Sequence, residues 1–177
     1  KRWSLMYSSM EENIMEHSLQ VAMVAHGLAL INNRIFNGNV NPEKVALLAI
    51  YHDSNETITG DLPTPIKYFN PDIQESYRAL EDISKEKLLS LLPEPLKEDY
   101  RNVLFFDENS PEGKLVKAAD RICAYIKCIE ELKAGNGEFQ KAQQAIMKRI
   151  ENIDLPEVKY FMDHFVENFS LTLDELN

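Results

Sequence analysis

Three side chains near the end of one helical stretch have the types and spacing to hold a divalent cation: His52, Asp53 and Glu56. His52 continues the apolar row Val45, Leu48 and Ala49, so its ring should point inward. Asp53 follows about 100° around the axis, and Glu56 lies one turn beyond His52 on the same face. Such groups are costly to bury without a cationic partner. Imidazole with carboxylate suits Mn, Fe, Co, Ni or Zn. The competing reading is a helix end frayed into solvent, its acids simply exposed.

Two distant segments offer further ligands. Glu16-His17-Ser18 opens an apolar helical run, from which His17 could project into the same interior. Taken alone it reads as a capping-region or surface residue. Asp120 shares a helical face with Val116 and Cys123, where an acid is uncommon unless paired. Its rival explanation is a salt bridge to Lys117 at i−3; Arg121 is adjacent and faces elsewhere. The chain has four histidines. His26, roughly 13 Å along the axis from His17, reads as a core residue, and His164, among Phe161 and Phe165, as structural. A one-metal site follows.

The elements that must position these groups are helical. Residues 17–32 place Leu19, Ala22, Met23, His26 and Leu30 at helical spacing. Residues 42–56 start at Pro42 behind the capping residue Asn41. Asn70 and Pro71 repeat that signal for a helix over 71–92, stopped by Pro93 and Pro95. A helix over 112–134 ends at Gly135-Asn136-Gly137, and two more cover 138–152 and 156–168. Val103–Phe106 is the only strand candidate, and a helix explains it equally well. Residues 57–69, with Gly60, Pro63 and Pro65, read as a loop leaving the His52 helix.

At 177 residues the chain fits one domain, 1–177, without repeats or linkers. With 19 basic and 29 acidic residues its net charge is −10, which argues against nucleic-acid polymers and anionic membranes as partners. Apolar stretches are interrupted before the roughly 18 residues needed to span a bilayer. Cys123 and Cys128 read as buried free thiols of a reducing cytoplasm. The sequence opens at Lys1 without a methionine, so a trimmed leader or first helix is expected.

The set His17, His52-Asp53 and Asp120 resembles the H…HD…D pattern of HD-domain metal-dependent phosphohydrolases. Four segments are similar to the bacterial 5′-deoxynucleotidases. They are Glu16–Ala22, Tyr51-His52-Asp53, Thr59–Phe69 and Cys123–Cys128 with the following Glu130-Glu131-Leu132. The resemblance covers essentially the whole chain. It implies an all-α HD-domain bundle, a homodimer, and hydrolysis of deoxyribonucleoside 5′-monophosphates. It implies metal ligation by His17, His52, Asp53 and Asp120, with Glu56 and Asp61 as catalytic carboxylates. Arg2 and Trp3 match a pair bordering the family's substrate site. The Asp61–Pro65 turn, with Thr64, and Lys67 would line that site. The chain departs from the family in two places: the stretch before Arg2 is largely absent, and Tyr7, Ser8, Ser9 and Met10 stand where basic residues are usual.

On this reading one divalent ion (Co, Mn, Fe, Ni, Zn or Mg) acidifies a water, Glu56 takes its proton, and Asp61 assists the departing 5′-oxygen. Rival readings are an HD phosphohydrolase of triphosphates, cyclic nucleotides or signalling pyrophosphates, a nucleotide-binding protein without catalysis, and a helical interaction module.

Overall fold

The structure, a computed structural model, describes residues 1–176. Among these residues there is no strand; the secondary structure is helical throughout. The first helix, α1 (Ile14–Ile35), starts on a capping box: the Asn13 side chain accepts from Met15 N–H and Glu16 N–H, and Glu16 Oε2 accepts from Asn13 N–H. Because that box satisfies the helix end, His17 is not needed there. It sits a turn inside, with 1% of its surface exposed, which corrects the capping-region reading.

Helix α2 (Pro42–Tyr51) begins as expected on Asn41 and Pro42 but stops before His52. The predicted continuous helix over 42–56 is broken. His52 Nδ1 donates to the Ala49 carbonyl at 2.7 Å and Ser54 Oγ to the Tyr51 carbonyl at 2.7 Å. These side chains capture acceptors of the last turn, and the backbone tightens to i→i−3 bonds at Ser54, Glu56 and Thr57. Helix α3 (Glu56–Thr59) follows and ends on Gly60, whose φ of +71° favours glycine. The region expected as a loop therefore holds two single turns, α3 and α4 (Thr64–Lys67).

Four further helices lie close to their expected ranges: α5 (Pro71–Ser90) capped by Asn70, α7 (Pro111–Lys133) capped by Ser110, α8 (Phe139–Glu151), and α9 (Pro156–Phe165), which ends three residues early. Helix α6 (Lys97–Leu104) takes in half of the Val103–Phe106 run, so the helical alternative holds there. Gly113 has a steric reason: a Cβ there would run into the Asp107 carbonyl and Glu108 Cα of the loop that leads into α7.

Helix α1 is central, packed on α2, α7 and α9. The shared core includes Val21, Ala25, Leu28, Val45, Ala49, Val116, Ala119, Ile122 and Ile126. Each fully buried aliphatic side chain contributes roughly 1.5–3 kcal/mol relative to exposure. The row expected to face inward on α1 is only partly right. Ala22 is buried, but Leu19, Met23 and Leu30 are exposed at 59, 69 and 40%, and His26 is half-buried rather than in the core. Helix α1 is apolar on more than one face, and its buried residues include Ala22, Ala25 and Ala29. For the same reason α1 alone, among the described helices, reaches the length and mean hydropathy of a membrane span; half of that window is buried in the fold. The expectation that no stretch reaches that measure is corrected.

Candidate metal centre and its surroundings

Helices α1, α2 and α7 pack pairwise against one another, and each brings part of one cluster. His17 Nε2 lies 3.0 Å from Asp120 Oδ1 and 3.6 Å from Asp53 Oδ2. His52 Nε2 lies 3.2 Å from Asp53 Oδ2 and 3.9 Å from Asp120 Oδ1. The two imidazole centroids are 5.4 Å apart. Ligand atoms of His17, His52 and Asp120 all fall within 4.8 Å of one another. All four residues singled out from separate segments therefore converge. Lys117, the rival partner for Asp120, instead pairs with Glu108 at 2.6 Å.

The donor chemistry fits a cation. A backbone carbonyl only accepts, so the His52 Nδ1 contact with Ala49 O places the proton of neutral His52 on Nδ1. Its Nε2 then offers a lone pair. That atom is buried and has no aligned hydrogen-bond partner, although Asp53 Oδ2 is close. A lone pair facing carboxylate oxygens repels them unless a proton or metal ion lies between. Burial disfavours the charged ring of His52, yet Asp53 and Asp120 outweigh it and hold its pKa well above the usual histidine value. Burial likewise pushes Asp120 up, but His17 and His52 hold it well below the ordinary carboxylate range. Asp120 keeps 41% of its side-chain surface accessible, so the cluster is open to solvent on that side.

The proposed catalytic carboxylates sit beside the cluster. Glu56 is 8% exposed, and its Oε2 is buried without a partner. Burial, reinforced by Asp53 and Asp61, raises its carboxyl to about 8, against the pull of Arg2 and Lys67. Asp61 Oδ2 accepts the Trp3 N–H at 3.3 Å. Arg2 Nη1 reaches Asp53 Oδ2 at 3.2 Å, and its Nε reaches Glu12 Oε2 at 3.0 Å. Trp3 packs on Phe139, with centroids 5.1 Å apart. Its φ of +57° is an uncommon conformation for a bulky residue.

Two predicted substrate residues stand less directly on the cluster. Lys67 Nζ pairs with Glu81 at 2.7 Å and lies over the Tyr77 ring at 4.6 Å. Thr64 is exposed at the start of α4. His164 Nδ1 donates only locally, to the Tyr160 carbonyl at 2.9 Å, and the ring stacks on that of Tyr160. Glu12 and the Ala49 carbonyl, which orient Arg2 and His52, were not singled out from the sequence. Their parts arise from the fold and leave no local signal.

The family model of the 5′-deoxynucleotidase YfbR-like proteins matches residues 1–169. A 5′-deoxynucleotidase of Photobacterium profundum is 53% identical over 180 residues, covering all of this chain and 92% of the relative. One of Yersinia pestis (strain Pestoides F) is 54% identical, covering 99% of this chain and 90% of its own. Among solved structures, an HD-domain phosphohydrolase of Listeria innocua superposes with a TM-score of 0.84 at 24% identity, covering 95% of this chain and 82% of that one. A protein of Pyrococcus horikoshii OT3 superposes at 0.67 with 23% identity, over 95% of this chain and 88% of that one. The single-domain all-α fold is thus the HD-domain fold, and the chain belongs to the YfbR-like 5′-deoxynucleotidase family.

Proposed function

We propose that the chain hydrolyses deoxyribonucleoside 5′-monophosphates to deoxynucleoside and phosphate, with one divalent metal held by His17, His52, Asp53 and Asp120. The observation that carries this is the buried, unpartnered His52 Nε2 among three other ligand side chains, next to the equally unpartnered Glu56 Oε2. The curated relatives bear the same activity in their names. The ion would supply Lewis-acid chemistry, neutralising phosphoryl charge and making water more acidic.

The chain's own residues do the rest. Glu56, whose buried carboxyl stands at about 8 in the absence of a cation, would exchange a proton with water beside the cluster. Arg2 brings a buried guanidinium to the edge of the cluster, where a planar donor fork suits a phosphate. Asp61, oriented by the Trp3 N–H, assists protonation of the leaving 5′-oxygen. Lys67 and Thr64 border the approach on α4, with Lys67 held by Glu81 until a phosphate competes for it. Phosphoryl transfer asks chiefly for positioning and charge neutralisation, which this arrangement supports. A homodimer and a cytoplasmic setting are proposed with it on the resemblance.

A phosphate-release panel of dAMP, dGMP, dTMP, AMP, dATP and cyclic AMP, run with Co, Mn, Mg or Zn, tests the reading. Release is expected from the 2′-deoxy monophosphates first. Glu56→Ala should lower turnover on the order of 10²–10⁴-fold with metal content intact. Predominant hydrolysis of dATP, or near-full activity of Glu56→Ala, overturns it.

A further inference from the structure

Residues 2–12 precede α1 as a closed loop. Arg2 N–H donates to the Glu12 carbonyl at 2.9 Å, and Arg2 Nε binds Glu12 Oε2, so the loop's ends are pinned together beside the cluster. Its far side rests on the end of α7. There Glu131 accepts from Ser9 N–H at 2.8 Å and from Met10 N–H at 3.2 Å. Lys127 Nζ donates to the Met10 carbonyl at 2.7 Å and pairs with Glu131 at 2.8 Å. Asn136 Nδ2 donates to the Tyr7 carbonyl at 2.7 Å and to Glu131 Oε2 at 2.9 Å.

Helix geometry brings these groups together. Asn136 N–H bonds the Glu131 carbonyl and Gly135 N–H the Leu132 carbonyl, closing α7 in a Schellman motif with Gly135 at φ +86°. That closure folds Asn136 back onto Glu131. The Lys127 and Glu131 side chains are 4% and 1% exposed. A buried ion pair adds little stability over apolar residues of the same size, so stability alone does not account for it. Its hydrogen-bonding capacity is directed at strap backbone. The hold is made on the backbone of Tyr7, Ser9 and Met10 rather than on their side chains, which fits Tyr7, Ser8, Ser9 and Met10 standing where basic residues are usual.

The geometry points to Lys127 and Glu131 as positioning residues: a clamp that, through the strap backbone, sets Arg2 at the ligand cluster and Trp3 N–H on Asp61. The clamp stands two to three turns, roughly 10 to 16 Å along α7, from Asp120, and its contacts toward the site run through the strap. The inference rests on the reading of Arg2 as a phosphate ligand.

Steady-state kinetics on dAMP with Co, paired with hydrogen exchange of residues 7–10, tests it in the full chain. Two lesions are used. Glu131→Gln weakens the clamp, and Ser9→Pro deletes one clamped N–H at an exposed residue. Both should speed strap exchange and lower kcat/KM roughly 10- to 100-fold, chiefly through KM, with metal content unchanged. In an Arg2→Ala background each should cost clearly less than in the wild type, because only the hold on Trp3 N–H and Asp61 is left to lose. Faster exchange with wild-type KM overturns the clamp, as does an equal loss on top of Arg2→Ala. If Glu131→Gln fails to fold, Ser9→Pro decides alone. A wild type that releases no phosphate from dAMP sinks the functional reading and the clamp with it. An active wild type whose Ser9→Pro variant keeps its KM sinks the clamp alone.

Discussion

The ligand cluster and the strap beside it are held by different kinds of contact. His17, His52-Asp53 and Asp120 stand on or at the end of helices whose apolar faces form the core, so packing of α1, α2 and α7 places them. Arg2 and Trp3 stand on a segment without regular structure, placed by hydrogen bonds from α7 and its following turn to strap backbone. The first arrangement depends on which side chains are present at each position. The second depends on backbone groups that every residue but proline offers. A site can thus combine ligands fixed by the core with a substrate edge fixed by a tether.

The sharpest way to break this contrast is at the cluster. Asp120→Ala removes one proposed ligand and leaves the hydrogen bonds of the strap to α7 in place. Metal affinity should fall by at least about 100-fold, since loss of supporting partners alone costs 10–100-fold. Phosphate release should vanish at ordinary metal concentrations, while exchange of the Ser9 and Met10 amides stays slow. Competition with a chromophoric chelator measures the first, and hydrogen exchange the last. A variant that keeps wild-type affinity would mean that the four residues form a salt-bridge network and not a metal centre.

The same contrast governs what could be read in the sequence. The helices were legible where caps and apolar rows agree, as at Asn41-Pro42 and Asn70-Pro71. His52, Asp53 and Asp120 were legible because His and Asp on apolar faces need a reason to be there, whereas His17 read alone as a capping or surface residue and joined them only through the family resemblance. The break at His52 was not, because it depends on His52 Nδ1 and Ser54 Oγ finding carbonyls in the last turn. Nor was the inward face of α1, where two apolar rows compete. Glu131 stood in a recognised segment, yet nothing local marks a carboxylate whose partners lie 121 and 122 positions away.

Acid should act on the strap through Glu131. Burial raises its carboxyl, but Lys127, Asn136 and the N–H groups of Ser9 and Met10 outweigh this and bring it from 4.5 to about 2. A carboxyl lowered by folding stabilises the protein above its unfolded value, and that stability drains as pH falls from about 4.5 toward 2. Urea unfolding of wild type and Glu131→Gln between pH 7 and 3 should show a stability gap that narrows below about pH 4.5. A gap that stays constant across that range would mean Glu131 is not held as an anion in the folded protein.

The smallest effect belongs to the residue that sequence reasoning offered as Asp120's rival partner. Lys117 lies on α7 one turn from Asp120, yet its ammonium pairs with Glu108 in a bridge whose side chains are 46% and 57% exposed. Exposed pairs of this kind contribute about 0–1 kcal/mol. Lys117→Ala should therefore leave metal affinity and kcat/KM within about twofold of wild type and shift stability by no more than that modest amount. If instead Asp120 depended on Lys117 for its charge balance, the variant would bind metal differently, because the carboxylate would lose its cation in the metal-free state. Equal chelator-competition curves for Lys117→Ala and wild type would separate the two. They would assign the acid on α7 to the histidines of α1 and α2, and so to the core-built half of the site.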